Sequence, residues 1–207
     1  MSARQDTEIV LARHGRTAAN FRAIYSGRSH DPLDETGRKQ ARLLAERLTG
    51  DPPENILCSP VLRARMTAEA VAGKTGLTLT IADFLSEIDF GEWSGLTGEK
   101  IAEVDPKQWE IWRDAPHLAR VPGGETLDEV RARMDSGLAG VRETCGGKRV
   151  LLVTHDVNIR LAVLITLGLL NSSYRSLKID NASLTSLSFS GGAAQVNYCN
   201  DTGHLAG

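Results

Sequence analysis

The residues that could do chemistry sit where apolar runs stop. Ile9-Val10-Leu11-Ala12 ends abruptly in Arg13-His14-Gly15, a cation, an imidazole and a glycine at the end of a buried strand. In open α/β sheets ligands bind beyond the carboxyl ends of the strands, so this trio reads as an anion site holding a reactive group. Successive strand residues face opposite sides, so Arg13 and His14 can serve one site only if the chain turns there, which Gly15 allows. The device recurs: the buried run Arg149 to Thr154 ends in His155. Arg63 lies in the first turn of a predicted helix, where the macrodipole disfavours a cation by about a few tenths of a kcal/mol. It is either a solvent-facing arginine paired with an acid or an anion ligand sharing the site with the helix's free N–H groups. Between Phe84 and Gly95, Glu87, Asp89 and Glu92 alternate with bulky apolar residues. One of them, held in a partly apolar setting that raises its pKa, could be a general acid, and the chain alone does not choose. Neutral imidazole is a competent nucleophile toward phosphorus, and arginines offer bidentate donors matched to phosphoryl oxygens.

The elements that must position these residues alternate in type. After the first strand a polar loop runs from Phe21 to Leu33, and Asp34 has the look of a helix N-cap. Ala41, Leu44, Ala45 and Leu48 then repeat at helical spacing up to Gly50. Asn55 to Cys58 is a second short strand, and Ser59-Pro60 predicts a helix with serine as N-cap and proline at its first position. Leu77 to Ile81 is a third strand. The stretch from Thr97 to Pro122 carries Trp109 and Trp112 among short helical patterns, and with Trp93 it holds every tryptophan of the chain. It reads as a lid or substrate wall, or as a packing buttress. Thr126 can cap a helix in which Leu127, Val130, Met134, Leu138 and Val141 share one face. Asp156 is the simplest cap for a mostly apolar helix from Val157 to Leu169, and Leu184–Phe189 with Ala193–Cys199 reads as a hairpin closing the sheet. The expected fold is α/β: a three-layer αβα sandwich with a mostly parallel central sheet, closed by a C-terminal antiparallel hairpin. One domain spans 1–207, with a small helical lid insertion at about 92–125.

Composition narrows the function classes. The chain has 207 residues, 41% hydrophobic and 24% charged, ordinary values for a soluble globular domain. A net charge of -2 and a pI near 6.2 give no broad basic field, so neither nucleic acid nor a membrane surface is expected as partner. Cys58, Cys145 and Cys199 show no CxxC or metal-type clustering and read as reduced, small core residues. The first residues lack a secretory h-region and no run is long enough to span a bilayer, so the expected location is cytoplasmic.

In order along the chain, Arg13-His14-Gly15 with Thr17 and Asn20 is followed by Pro32-Leu33 with Gly37 and Gln40-Ala41. Ser59-Pro60 with Arg63-Ala64 and Thr67-Ala68-Glu69 comes next, then Glu87 with Gly91 and Gly95. Gly123-Gly124-Glu125-Thr126 and Val153-Thr154-His155 complete the series. In this series the chain resembles the histidine phosphatase superfamily, the phosphoglycerate mutase-like proteins, over nearly its whole length. The resemblance implies that His14 becomes the phosphohistidine, that Arg13, Arg63 and His155 grip the phosphoryl group with help from Asn20, and that Glu87 is the proton donor. It implies a metal-independent hydrolysis with no cofactor, a small phosphorylated metabolite as substrate and inorganic phosphate as product. Mutases of the family are usually longer and follow the acid glutamate with an arginine and an aromatic or histidine. Ile88-Asp89-Phe90 stands here instead and favours hydrolysis over phosphoglycerate mutase-type exchange. Similarity to the bacterial phosphatase branch points to phosphoserine or a broad range of substrates, although Ser26 and Phe90 replace the glutamine and histidine that phosphoserine enzymes tend to have. Asp156 stands where glycine is common and either tunes the phosphate site or turns outward as a cap. Thr17, Ser26, Gly27, Phe90, Trp112, His117 and His204 are candidate substrate contacts. Two readings compete: a metallophosphohydrolase built on His30-Asp31 and His155-Asp156, and a non-catalytic phosphate-binding module. An exposed hairpin or helix leaves a homodimer open.

Overall fold

The structure, a computed structural model, describes residues 6–206. Its frame is a six-stranded sheet in the order β3-β2-β4-β1-β5-β6, built from β1 (Thr7–Arg13), β2 (Asn55–Cys58), β3 (Leu79–Ile81), β4 (Arg149–Thr154), β5 (Leu184–Ser190) and β6 (Ala193–Asp201). β1, β4, β2 and β3 run parallel, while β5 pairs antiparallel with β1 and β6 with β5. The expected α/β sandwich with its closing hairpin is therefore the observed fold. Strand alternation explains the two buried faces. Ile9, Leu11, Val150 and Leu152 point to one side and pack with residues of α6 (Leu127–Thr144) and α7 (Asp156–Thr166). Val10, Ala12, Leu151 and Val153 point to the other, against α2 (Glu35–Thr49) and α3 (Leu62–Thr75). A sheet buried on both faces needs near-continuous apolar strands, which is how β1 and β4 read.

The caps follow local chemistry, with two departures from expectation. Asp34 accepts from the Gly37 amide to start α2, and Thr126 and Glu129 form a reciprocal capping box at α6. Ser59 does not cap α3. That helix starts two residues later, after Val61, and the Ser59 hydroxyl instead accepts from the Val61 amide and meets the His155 ring. Asp156 is not the cap of α7 but its first residue, with His155 in the N-cap position, and the helix ends at Thr166, just before Gly168 at φ +65°. The third strand is two residues shorter than its apolar run, an edge strand with Thr80 and Ile81 exposed. The polar segment after β1 contains a one-turn helix, α1 (Ala18–Phe21). Of the three free cysteines only Cys58 is buried; Cys199 is exposed on β6, where alternate side chains of an edge strand face solvent.

Between β3 and α6 lie α4 (Gly98–Val104) and α5 (Pro106–Asp114), followed by a 3-10 turn at Pro116–Leu118. Trp93 and Trp112 from this region are buried in the main core, edge to face with each other, and Trp93 also meets Trp109 edge to face. No helix among the described residues is long and apolar enough to cross a membrane.

Candidate active site

β1 and β4 are neighbours in parallel register, with Arg13 opposite Thr154, so the two residues that follow, His14 and His155, emerge side by side. Their rings lie 5.1 Å apart at 60°. The chain leaves β1 without a positive φ at Gly15. That residue is glycine because of close approach: a Cβ there would meet the Gly37 carbonyl oxygen at 2.5 Å, and one on Gly37 would meet the Arg16 carbonyl oxygen at 2.0 Å. The loop after β1 thus lies directly on the first turn of α2. Behind His14, a turn with Ala182 at φ +57° donates the Ala182 amide to the His14 carbonyl, and the Arg13 guanidinium donates to Ile179 O at 2.6 Å.

His14 Nδ1 lies 2.7 Å from the Gly15 carbonyl, which can only accept, so the proton resides on Nδ1 and Nε2 is an acceptor. Nε2 accepts from Arg63 Nε at 3.1 Å. Burial, then the charges of Arg63 and Arg13, hold the His14 pKa well below the usual imidazole value, so the ring is neutral. Arg63, at the second position of α3, is buried and donates also to Gly27 O and Ser29 O at 2.6 and 3.1 Å. His155 is fully buried and likewise kept neutral, chiefly by desolvation and next by Arg63. Ser59 Oγ lies 2.8 Å from its Nε2, and its Nδ1 has no hydrogen-bond partner among the described residues.

Glu87 is the buried member of the acidic loop; Glu92 is exposed and Asp89 half-buried. Its Oε1 accepts from the Ile88 amide at 2.9 Å and its Oε2 lies 3.9 Å from His155 Nδ1. Burial, outweighing the pull of Arg63, raises its pKa to about 7. The loop that carries it is held from below. The Asn158 amide donates to the carbonyls of Leu85 and Ser86, Thr154 Oγ1 donates to Leu85 O, and Arg133 ties Phe84 O to the Glu125 carboxylate.

A cavity of about 430 Å³ opens beyond the strand ends. Arg13, His14, Asn20, Ser26, Gly27, Arg63, Glu87, Phe90 and Trp112 of the expected set line it. His155, buried beside His14, is not among the residues that line it. Thr17 is not a contact: it is fully buried as the cap of α1, exchanging hydrogen bonds with Asn20. His117 and His204 lie outside the lining. His117 belongs to the 3-10 turn after α5, and His204 sits half-buried in the 3-10 turn at Gly203–Leu205, near α2. The metal reading fails on placement: His30 is exposed, and among the described residues no group of three or more His, Cys, Asp or Glu could hold a metal ion.

Of the two readings open for Asp156 the structure favours the inward one, and three further wall residues were missed from the sequence. Asp156 faces inward, accepting from Arg160 Nε at 2.9 Å and lying 3.9 Å from Arg13. Arg160, Tyr174 and Arg175 also line the cavity, with the Arg160 guanidinium 5.0 Å over the Tyr174 ring. Asp156 and Arg160 are spaced i, i+4 on one helix, a signal the chain does contain; Tyr174 and Arg175 sit in an irregular 3-10 segment with no periodicity to reveal them.

A neutral imidazole, several guanidinium groups and a protonatable buried carboxyl on one cavity, at the carboxyl edge of a parallel sheet, have the make-up of an α/β enzyme for phosphoryl groups. The chain belongs to the histidine phosphatase superfamily, branch 1, whose family model matches residues 9–202. It is 34% identical over 176 residues to phosphoserine phosphatase 1 of Hydrogenobacter thermophilus, an alignment covering 85% of this chain and 83% of that one. It is 31% identical over 182 residues to a probable phosphoglycerate mutase of Photorhabdus laumondii, covering 88% and 85% of the two chains. Among solved structures, Bacillus stearothermophilus YhfR superposes with a TM-score of 0.92 at 30% identity, covering 96% of this chain and 99% of that one.

Proposed function

We propose that this phosphatase hydrolyses small phosphate monoesters without a metal ion, through a phosphohistidine at His14. The observation that carries the reading is the pairing, on one cavity, of an imidazole held neutral with its proton on Nδ1 and a carboxyl raised to about pH 7. A phosphoryl dianion entering the cavity takes the Arg63 Nε–H, which releases the His14 Nε2 lone pair. Nε2 then attacks phosphorus while the P–O ester bond breaks, and the Glu87 proton goes to the departing oxygen. The positive charge that develops on the imidazole is stabilised by the Nδ1–H bond to Gly15 O. In the second step water attacks phosphorus, Glu87 takes its proton, the P–N bond breaks and inorganic phosphate leaves. His155 fits as a donor to a phosphoryl oxygen. With the Val61 amide donating into Ser59 Oγ, the serine hydrogen is free for His155 Nε2, which leaves a buried, unpartnered N–H on Nδ1. Ile88-Asp89-Phe90 beside the acid supports hydrolysis over exchange.

The test is phosphate release from p-nitrophenyl phosphate in excess EDTA, with trapping of a base-stable, acid-labile phosphohistidine. His14→Ala is expected to abolish both, and His155→Ala to lower kcat by about a hundredfold or more. Full activity in His14→Ala overturns the nucleophile; tight ligand binding without turnover in the wild type favours a binding module. A screen of phosphoserine, sugar phosphates, phosphoglycerates, nucleotides and α-ribazole phosphate, ranked by kcat/KM, separates a specialist from a generalist, and added phosphoglycerates expose any mutase exchange.

A further inference from the structure

The four arginines that border the cavity are not equivalent. Arg160 is matched within the protein. Its Nε pairs with Asp156, its NH1 donates to the carbonyls of Tyr174 and Leu177, and its face lies on the Tyr174 ring. Arg13 and Arg63 flank His14 and provide the two charges that a phosphoryl dianion requires. Arg175 is different. It is exposed at the cavity wall, lies within 4 Å of no carboxylate among the described residues, and makes one hydrogen bond, from NH2 to the Trp112 carbonyl at 2.5 Å. Asp114, which lies in its field, is already held by Arg113 at 2.8 Å. Charge accounting gives the same answer as geometry. With Asp156 ionised and Glu87 protonated, a bound phosphoryl dianion leaves one positive charge on the cavity unmatched.

The position of that charge is fixed from both sides. Tyr174, next to it in the chain, is buried, and Asn171 of the same 3-10 segment is anchored to Asp128 at 2.8 Å and to Arg131 at 3.0 Å. The bond to Trp112 O holds the guanidinium against α5, next to an aromatic wall in which Phe90 and Trp112 meet at 5.4 Å and Trp112 and Tyr174 at 6.3 Å. A guanidinium with one donor engaged and a fixed backbone is preorganised for a planar, bidentate acceptor. We infer that Arg175 is the anchor of a second anionic subsite, and that the substrates of this site are phosphate monoesters whose leaving group carries one carboxylate. The inference rests on the phosphatase reading above, since it assigns the phosphoryl group to the Arg13–Arg63 end.

Matched esters test it: 3-phosphoglycerate against glycerol 3-phosphate, and 4-carboxyphenyl phosphate against phenyl phosphate, each pair differing in the carboxylate. The wild type is expected to favour the acid of each pair by about tenfold or more in kcat/KM, the size of one charge-assisted interaction. In Arg175→Gln the ratio within each pair is expected to collapse toward one through KM, and Arg175→Lys to restore part of it. The same pairs titrated onto His14→Ala, which binds without turning over, are expected to give the same ordering of Kd and its loss in the His14→Ala/Arg175→Gln double variant. Equal handling of both members by the wild type, or a preference unchanged in Arg175→Gln, overturns the subsite. The two readings fail separately. Loss of all turnover with the binding contrast intact defeats the hydrolase and keeps the subsite; His14-dependent turnover without contrast does the reverse.

Discussion

Glu87 is the residue on which chemistry and stability pull against each other. Its carboxyl is buried and titrates near 7, against about 4.5 for an exposed glutamate, so the folded protein holds a proton that the unfolded chain has released by neutral pH. The stability linked to that proton is complete below about pH 4.5, is lost as pH rises through 7, and changes no further above it. Glu87→Gln, which keeps an acceptor for the Ile88 amide, should therefore be more stable than the wild type by up to about 3 kcal/mol at pH 8 and by nothing at pH 4. Urea titrations at the two pH values measure this. In the proposed mechanism the same proton serves the reaction: kcat/KM should fall as pH rises above about 7, with no acid limb from His14, whose pKa is held well below the usual value. Asp156 contributes to the elevation of Glu87 through its negative charge. Residue type alone left Glu87, Asp89 and Glu92 equivalent, because what distinguishes them is burial, a property of the fold around the loop; family resemblance pointed to Glu87 before burial could be seen.

At the scale of elements, His14, the proposed nucleophile, depends on a contact between backbones. Gly15 and Gly37 let the loop after β1 rest on the first turn of α2, with no room for a methyl group on either side. Gly37→Ala should push Arg16 and its neighbours away from α2, lower stability by about 3 kcal/mol, and loosen the Gly15 carbonyl that fixes the His14 tautomer. Thermal unfolding and the kcat of the surviving fold report the two effects separately. The strands, α2, α6 and the hairpin were legible because their signals are local: apolar runs, helical spacing, Asp34 and Thr126 as caps. The entries to α3 and α7 were misread because each cap candidate has a competing partner. Ser59 and Asp156 are good cap residues by type, but the His155 ring, distant in sequence, draws the Ser59 hydroxyl, and Arg160, one turn further along the same helix, draws the Asp156 carboxylate. His117 was a candidate by its place in the insertion and His204 by the resemblance of the tail to the phosphatase branch, whereas facing the cavity depends on tertiary placement.

Across the whole molecule, the sheet order places β1 between β4 and β5, so the centre of the sheet is assembled from the first and the last thirds of the chain. The side-by-side emergence of His14 and His155 follows from the register of β1 on β4 and from nothing shorter in range. Parallel pairing of distant strands is entropically slow to form, and helices such as α2 and α6 can form well before it. Catalysis is thus a clock for the last stage of folding. In refolding from urea, far-UV helical signal should return in a phase that precedes recovered p-nitrophenyl phosphate hydrolysis, while activity and the burial of Trp93 and Trp112 should return together. During synthesis the same order keeps the proposed nucleophile disarmed: until β4 leaves the ribosome and docks, the imidazole at the end of β1 has no partner strand, no buried cavity and no fixed acid.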